Sequence, residues 1–300
     1  MPEAIRKVNV IGHLNPDTDS ICSAIAYAYL KNKLGNTDIY EARRAGSVNR
    51  ETAFALKHFG FAEPELITTV TPQIKDCEVQ KQDGIDAGMS LFAAWSRMRE
   101  TGTDTLCITD EQNNLGGLIA VKDIANANLD IFDTEVIAES ATSYANIVST
   151  LNGEMLLGDP QATVTEGSVR VGTTPEMMED TVKKGDLVLV TNRYETQQFA
   201  VECDASCIVV CCGAHVSPQV MASAKRHGCA IIATPYDTYA ASRLICMSIP
   251  VSAKMHRDGI VKLSVNTSVD DAKKTIASSR HRFFPVIDEE GKYKGLVSTP

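Results

Sequence analysis

The sequence predicts an α/β protein: an N-terminal parallel α/β domain, then a pair of βαββα-like units split by an inserted α/β domain. Three observations support this fold class. Strand-like and helix-like segments alternate over the first 60 residues. Residues 90–120 align without a gap on residues 268–298. Residues 121–267, which have a different pattern and are rich in short apolar strands, separate these two copies.

Composition excludes several classes of protein. The chain has 300 residues, of which 44% are hydrophobic, so it is long enough for two or three globular domains. A formal net charge of -9 argues against a nucleic-acid partner. The sequence contains no signal-peptide pattern and no apolar stretch that reaches membrane-spanning length. Its nine cysteines are an odd, scattered set, which is typical of reduced thiols in the cytoplasm. We therefore expect a cytoplasmic protein with no membrane partner.

Residues 1–68 form the first predicted domain. "KVNVIGH" and "DIYEARR" have the pattern of strands, and they alternate with the helical segments "DSICSAIAYAYLKNKLG" and "NRETAFALKHFG". Gly35 and Gly60 are placed to end the two helices. Because ligands bind beyond the carboxyl ends of parallel strands, the loop that follows the first strand is a candidate site.

The internal repeat defines the second and fourth domains, at residues 69–128 and 249–300. Each copy has the pattern helix, strand, acidic turn, strand. The matched pairs include Ser90 with Ser268, Ala94 with Ala272, Asp110 with Asp288, Glu111 with Glu289, Gly117 with Gly295 and Leu118 with Leu296. Two such units are expected to bury their apolar faces against each other.

Residues 129–248 form the predicted insert. "EGSVRVGT", "GDLVLVTN", "CIVVCCGAH" and "CAIIATPYD" have the pattern of strands, and "SPQVMASAKRHG" and "DTYAASRLICMS" that of helices. Cys203, Cys207, Cys211, Cys212 and His215 lie close together in this segment. Their C-x3-C-x3-C-C spacing differs from the C-x2-C pairs of zinc sites, so we expect the thiols to pack as small hydrophobes. A zinc or redox role remains the alternative.

The loop after the first strand, "GHLNPDTDS", carries His13, Asp17 and Asp19. Two carboxylates so close in sequence repel each other, which favours a cation between them. Imidazole with carboxylate suits manganese, cobalt or zinc. From the residues alone, an Asx-turn and a helix cap, with His13 only hydrogen-bonded, is an equally good interpretation.

Several other residues have simple expected roles. Trp95, the single tryptophan, is predicted to pack in the core of the first repeat. His58 and His227 lie in the last turns of predicted helices, where a cation complements the helix dipole. His256, in "KMHRDG", is expected in an exposed loop with no chemical role.

"GHLNPDTDSICSAIAYA" and "RAGSVNRETAFAL" resemble the N-terminal signature of family II, manganese-dependent inorganic pyrophosphatases of the DHH phosphoesterase superfamily. The two repeats look like cystathionine β-synthase (CBS) domains. The insert looks like a DRTGG domain whose signature loop is degenerate and is "TNRYE" here. This order of domains is similar to that of the nucleotide-regulated subclass of those enzymes.

The resemblance implies a metal centre and a reaction. His13 and Asp17 would bind one divalent metal and Asp19 a second, with manganese or cobalt in the site and magnesium on the substrate. The implied reaction is hydrolysis of inorganic diphosphate to phosphate, for which two metals clamp the phosphoanhydride and supply hydroxide.

The resemblance also implies a regulatory nucleotide, AMP, ADP or ATP, in the cleft between the CBS copies. Asp123 matches the aspartate that holds the ribose, and its counterpart in the second copy would be residue 301. Arg280 and Arg282 are candidate phosphate ligands, and Thr103, His281 and Ser298 are further candidate contacts. For the arginines, a solvated basic turn is the alternative.

The family also has features that this sequence does not contain. Family members supply another metal-bridging aspartate, an Asp-His-His motif and a substrate domain rich in lysine and arginine, and no Asp-His-His occurs in these 300 residues. We expect either a fragment of a longer enzyme or a natural short form with little turnover, and in both cases a homodimer. The alternatives are a non-catalytic adenine-nucleotide sensor and another DHH phosphoesterase. The Asp19-Ser20 step argues against the latter, because those proteins tend to have alanine or glycine after the aspartate.

Overall fold

A computed structural model describes residues 6–35, 38–130 and 134–298 of the chain. The chain divides into two compact units, Met1–Pro72 and Gln73–Pro300. Among the described residues, every helix is too short or too polar to traverse a lipid bilayer.

The first unit is a small parallel sheet with two helices. Its elements are β1 (Lys7–Ile11), α1 (Thr18–Lys33), β2 (Ile39–Arg44), α2 (Arg50–Phe59) and β3 (Glu65–Leu66). The strands lie in the order β1-β2-β3, and both pairings are parallel. The alternation seen in the sequence therefore predicts this sheet correctly, apart from the two-residue β3. Gly60 ends α2 in the left-handed conformation, with φ +73°, as its position in the sequence predicts.

The insert is built on a five-stranded sheet. Its strands are β6 (Glu154–Leu157), β7 (Val169–Val171), β8 (Leu187–Val190), β9 (Cys207–Val210) and β10 (Ala230–Ala233). The order is β6-β10-β9-β8-β7; the last four strands are parallel and β6 is antiparallel. The helices of this region are α5 (Val136–Glu139), α6 (Tyr144–Thr150), α7 (Pro175–Met178), α8 (Tyr194–Glu202), α9 (Pro218–His227) and α10 (Thr238–Ile245). The strands β8 and β9 are buried on both faces, which explains their uninterrupted apolar sequences.

The cysteines of the insert differ in burial according to their position relative to β9. Cys207 and Cys211 are fully buried in the core, as the packing interpretation predicts. Burial raises the pKa of the Cys211 thiol to about 11, so this thiol stays protonated at neutral pH. Cys212 does not pack with them: it is exposed, in the left-handed turn that follows β9. Cys203 is half-buried at the end of α8.

The two repeat copies share a helix followed by two antiparallel strands, and they differ in the elements before and after this unit. The first contains α3 (Leu91–Thr101), β4 (Thr105–Thr109), β5 (Leu115–Ala120) and α4 (Val121–Leu129); the second contains β11 (Leu263–Ser264), α11 (Val269–Ser278), β12 (Phe283–Ile287) and β13 (Tyr293–Ser298). The helix caps coincide, since Ser90 and Ser268 each accept the amide of the residue three positions on. The predicted acidic turns also coincide, as the connection between two antiparallel strands in each copy.

Each copy is held to the other by a short extended segment that we call a strap: residues 79–82 before the first copy and residues 255–256 before the second. The strap before the second copy pairs His256 with Leu118 on β5, and the strap before the first pairs Gln80 with Leu296 on β13. A Cβ on Gly117 would lie 3.0 Å from the His256 carbonyl oxygen, and one on Gly295 would lie 2.7 Å from that of Gln80. The glycine that the two copies share is thus the position where the other copy's strap makes its closest approach.

A small apolar core joins the copies at their hairpins. Cys107 of β4 packs with Tyr293 and Leu296 of β13. Asn113 exchanges two hydrogen bonds with Tyr293: its side-chain amide donates to the Tyr293 carbonyl at 2.8 Å, and its own carbonyl accepts the Tyr293 amide at 2.9 Å. The predicted mutual burial of the two apolar faces is therefore present. Trp95 is partly buried against the core of the first copy, with the Arg99 guanidinium over its ring.

Candidate metal loop and nucleotide cleft

The candidate metal loop spans residues 12–17, between β1 and α1. It lies at the carboxyl ends of the parallel strands, the edge at which such sheets bind ligands. Pro16 is buried, whereas His13, Asp17 and Asp19 are all exposed. The loop and the first turn of α1 thus present three donor side chains to solvent.

Asp17 is at once the cap of α1 and a candidate ligand. Its Oδ1 accepts the Ser20 amide at 2.9 Å and lies 3.4 Å from His13 Nε2. The Ser20 amide, with His13 as a further contribution, lowers the pKa of the Asp17 carboxyl below its ordinary value. The carboxylate is therefore ionised at neutral pH, which is the form that binds metal ions. The helix-cap interpretation and the ligand interpretation are both compatible with this geometry.

The spacing of the two donors fits a shared ion. Two ligands about 2.1 Å from one ion lie roughly 3.0 to 3.4 Å from each other in octahedral or tetrahedral geometry. The 3.4 Å between His13 Nε2 and Asp17 Oδ1 matches this separation. The imidazole and carboxylate would hold a manganese, cobalt or zinc ion, which would act there as a Lewis acid.

Asp19 is not part of this pair. Its Oδ1 accepts a hydrogen bond from Ser23 Oγ at 3.3 Å, one turn further along α1. Within residues 6–35, 38–130 and 134–298, no three His, Cys, Asp or Glu side chains converge as a metal site. A role for Asp19 on a second ion stays a prediction from the resemblance.

Ser20 lies directly behind the loop. Its Oγ is buried and has no hydrogen-bond partner. A Cβ on Gly12 would lie 1.8 Å from this oxygen, so only glycine leaves room for the hydroxyl at the back of the loop. An unpartnered buried hydroxyl beside His13 and Asp17 is a further feature that fits a polar ligand at the loop.

A cleft of about 600 Å³ opens beside the loop. The residues that line it come from the ends of all three strands and are Ile11, Leu14, residues 45–47 and residues 66–71. Its described lining is apolar or hydroxyl-bearing and carries no charged side chain. The cleft therefore offers room next to the loop but no cation to hold an anionic substrate.

The residues predicted to contact a nucleotide lie in the second unit, and Asp123 has the best-defined contacts among them. It lies in the first turn of α4, where its Oδ2 accepts the Ala120 amide at 2.9 Å. Its Oδ1 lies 2.9 Å from His256 Nε2. The Asp123 side chain is 14% exposed and the His256 side chain is 65% exposed. Asp123 is therefore the nearly buried partner of this contact, and His256 is the partner that faces solvent.

Thr103 is buried next to this region. Its Oγ1 accepts a hydrogen bond from Gln82 Nε2 at 3.2 Å and lies 2.9 Å from Thr101 Oγ1. The Gln82 Oε1 and the Thr105 Oγ1 are buried and have no partner. The next residue, Asp104, joins the base of α4, because its carbonyl accepts the Val121 amide. The backbone hydrogen bond between Val121 and Asp104 thus holds the segment that contains Thr103 next to the first turn of α4, which contains Asp123.

The basic residues of the second copy are placed differently. Arg280, His281 and Arg282 are all exposed, in the connection between α11 and β12. The His281 amide donates to Ser279 Oγ. Ser298 lies at the end of β13, where it pairs with Phe283. These side chains line an open edge of the second copy, and their contact with a nucleotide stays a prediction.

Sequence reasoning missed two residues of this region. His256 was expected to have no role, yet it contacts Asp123 across 133 positions of sequence. Gln82 was not singled out. Both belong to the straps, whose path depends on the pairing of the two copies. The shared glycine at 117 and 295 is the one sequence signal that marks where the straps pass.

Comparisons with known proteins agree with the fold. The family model of the DRTGG domain matches residues 146–248, and that of the CBS domain matches residues 251–299. The chain is 34% identical over 292 residues to the cobalt-dependent inorganic pyrophosphatase of Clostridium perfringens, which covers 97% of this chain and 53% of that protein. It is 26% identical over 297 residues to a probable manganese-dependent inorganic pyrophosphatase of Thermotoga maritima, covering 99% of this chain and 54% of that protein. The chain therefore spans about half the length of these relatives.

A solved structure matches the second unit closely. It is that of the CBS and DRTGG domains of the regulatory region of Clostridium perfringens pyrophosphatase, complexed with its activator diadenosine tetraphosphate. The similarity has a TM-score of 0.71 at 32% identity, and it covers 76% of this chain and 99% of that one. This chain thus belongs to the family of CBS- and DRTGG-domain regulatory regions represented by the Clostridium perfringens pyrophosphatase.

Proposed function

We propose that this chain supplies metal ligands and the nucleotide-binding regulatory region of a divalent-metal-dependent inorganic pyrophosphatase. The reaction is hydrolysis of diphosphate to two phosphates. The observation that carries the proposal is the pair formed by His13 and Asp17, 3.4 Å apart, at the carboxyl edge of a parallel sheet. The relatives that match nearly the whole chain are cobalt- or manganese-dependent inorganic pyrophosphatases, which supports the same assignment.

The proposal assigns the N-terminal unit to the DHH phosphoesterase type and gives the metal ligands separate roles. His13 and Asp17 bind one manganese or cobalt ion, and Asp19 binds a second ion. The exposure of all three side chains leaves positions in each coordination shell for water and for substrate. The substrate enters as its magnesium complex.

In the second unit, the proposed ligand is an adenine nucleotide such as AMP, ADP or ATP, bound between the copies. Asp123 accepts the ribose hydroxyls, and Arg280 or Arg282 pairs with phosphate. The related regulatory region binds diadenosine tetraphosphate as an activator, which supports an adenine nucleotide here. Thr103, His281 and Ser298 complete the proposed contacts. The protein is proposed to be a cytoplasmic homodimer that pairs through this unit.

Metal binding tests the first part of the proposal. Titration of the chain with manganese, followed by electron paramagnetic resonance of the free ion, measures binding without any need for turnover. We expect His13→Ala to weaken binding about tenfold or more, because it removes one of the two donors that meet at the loop in the described part of the chain. His58→Ala, which removes an exposed imidazole of the same unit, is the matched control. Equal manganese affinity in His13→Ala and wild type would refute the metal loop.

Turnover tests how much of the active centre these residues provide. Since only two donors converge in the described part of the chain, we expect phosphate release from diphosphate well below about 1 per second with manganese or cobalt. Release at or above that rate would mean that other groups complete the centre.

A second candidate function is a non-catalytic adenine-nucleotide sensor. Two observations favour it: no group of three metal-ligating side chains converges within the described ranges, and the cleft beside the loop has no cation in its described lining. Nucleotide binding with no manganese binding at the loop would select the sensor.

Light scattering at micromolar concentration tests the proposed homodimer, and a purely monomeric chain would contradict it.

A further inference from the structure

His256 forms a hydrogen bond with Asp123, the carboxylate proposed to bind the ribose. The imidazole Nε2 donates to Asp123 Oδ1 at 2.9 Å. The two residues come from different repeat copies, since Asp123 begins α4 and His256 lies in the strap before the second copy. The contact is therefore one that only the paired arrangement of the copies creates.

Both oxygens of Asp123 already have partners. Oδ2 accepts the Ala120 amide, and this bond caps the first turn of α4. Loss of that bond would leave a helix amide unsatisfied, whereas loss of the His256 contact exposes only an imidazole that water can reach. Oδ1 is consequently the oxygen that a ribose hydroxyl can take at the smaller cost. Because the Asp123 side chain is only 14% exposed, the His256 imidazole and a ribose hydroxyl would compete for the little open surface that this oxygen has.

The exchange needs no movement of the backbone. The His256 amide donates to the Leu118 carbonyl at 2.8 Å, and its carbonyl accepts the Leu118 amide at 2.9 Å. The strap is therefore fixed on β5, with Gly117 leaving room for it. The His256 side chain is 65% exposed, so it can rotate into water without losing a buried contact.

The second copy has no equivalent imidazole. The residue that pairs with Leu296, as His256 pairs with Leu118, is Gln80. The imidazole contact is thus confined to the half of the pair that contains Asp123.

We infer that His256 is a specificity-determining residue of the nucleotide site, which competes with the ribose hydroxyls for Asp123 Oδ1. The inference rests on the proposed binding of a ribose by Asp123. Without a nucleotide, Asp123 Oδ1 is therefore already hydrogen-bonded to His256. The benefit that ribose hydroxyls bring to binding is correspondingly smaller than a free carboxylate would give.

The test compares AMP with 2′,3′-dideoxy-AMP by calorimetry. Both carry the same base and phosphate. The affinity for AMP divided by the affinity for 2′,3′-dideoxy-AMP therefore isolates the contribution of the ribose hydroxyls. We expect His256→Ala to raise this ratio roughly two- to tenfold, the effect of one hydrogen bond, while the affinity for 2′,3′-dideoxy-AMP stays unchanged. His256→Phe, which keeps a ring but has no donor, should give the same result, and His215→Ala, an exposed imidazole of the insert, should leave the ratio as in wild type.

Asp123→Ala separates the two levels of the argument. A ratio that falls to about one in this variant supports the ribose contact of the proposed function. If the ratio falls in Asp123→Ala but stays the same or decreases in both His256 variants, competition by His256 is refuted and the ribose contact stands. If Asp123→Ala leaves the ratio unchanged, the ribose contact itself fails, and the inference fails with it.

Discussion

The connection from helix to hairpin differs sharply between the two repeat copies. Residues 102–104 are Gly-Thr-Asp, and the matched residues 280–282 are Arg-His-Arg. In the first copy this connection contains the buried Thr103, and in the second all three side chains are exposed. The helices and hairpins on either side nevertheless coincide element by element. The same scaffold thus carries a closed polar junction in one copy and an open cationic edge in the other.

This contrast separates residues that build the pair from residues that a ligand would contact. The helix-cap serines, the turn aspartates and the strap glycines are identical in both copies, because each satisfies a backbone need that the shared fold imposes twice. A ligand imposes no such twofold need. Residues 102–104 and their counterparts 280–282 differ accordingly.

The strap glycines allow the largest test of this contrast. Gly295 has φ +149°, and its Cβ would meet the Gln80 carbonyl oxygen at 2.7 Å, so Gly295→Ala is strained in both backbone and packing. We expect it to lower the free energy of unfolding by about 2 to 5 kcal/mol. Gly117→Ala, whose nearest contact is the flexible Met255 sulfur, should cost about 1 to 3 kcal/mol.

Urea unfolding of the two variants measures both effects. Gly116→Ala is the matched control, since its Cβ would have an ordinary contact at 3.6 Å, and it should change the free energy of unfolding by less than about 1 kcal/mol. Equal losses in Gly117→Ala and Gly295→Ala would mean that the straps are equivalent despite their different geometry.

The basic edge of the second copy gives the next test. If Arg282 holds a phosphate, Arg282→Ala should weaken AMP binding about 10- to 150-fold, because a charge-assisted hydrogen bond contributes about 1.5 to 3 kcal/mol. Adenosine, which has no phosphate, should bind the variant as it binds wild type. Lys273→Ala removes an exposed cation from the adjacent helix and is the control in the same calorimetric titrations. Equal loss of AMP affinity in both variants would mean that net charge, and not a contact between Arg282 and the phosphate, causes the effect.

Much of the fold could be predicted from local pattern. The parallel first sheet, the buried strands of the insert and the two copies of the repeat follow from apolar periodicity, glycine stops and an alignment within the chain. The sequence does not predict the strands β3, β6 and β11. A two-residue strand such as β3 or β11 has no periodicity, and β6 pairs antiparallel to a strand some 75 residues away.

The candidate sites show the limit of such reasoning. The pairing of His13 with Asp17 follows from a spacing of four residues within one loop, so sequence can reach it. The contact of His256 with Asp123 depends on the register with which one copy straps the other, and no local pattern encodes that register. The exposure of Cys212 has a similar cause, because the left-handed turn after β9 points it away from the core that holds Cys211.

The acidic turns provide the smallest and most selective test of the comparison. Asp110 Oδ1 accepts the amides of Gln112 and Asn114, and Asp288 Oδ1 accepts those of Glu290 and Lys292. The second copy adds an ion pair, Lys294 Nζ to Asp288 Oδ2 at 2.9 Å, at a position where the first copy has Gly116. The Asn114 side chain lowers the pKa of Asp110, and the Lys294 ammonium lowers that of Asp288.

A carboxyl whose pKa is lower in the folded chain stabilises the fold above its unfolded pKa of about 3.9, and this contribution disappears as pH falls through the folded value. Asp110→Asn and Asp288→Asn should therefore both lower the urea midpoint at pH 7, and the difference from wild type should shrink as pH falls below about 4. Salt at about 0.5 M should reduce the effect of Asp288→Asn, because the Lys294 side chain of its ion pair is 51% exposed, and should change that of Asp110→Asn less. An equal salt response in the two variants would show that Lys294 adds nothing to the turn, and that the copies are equivalent at this position as they are at their helix caps.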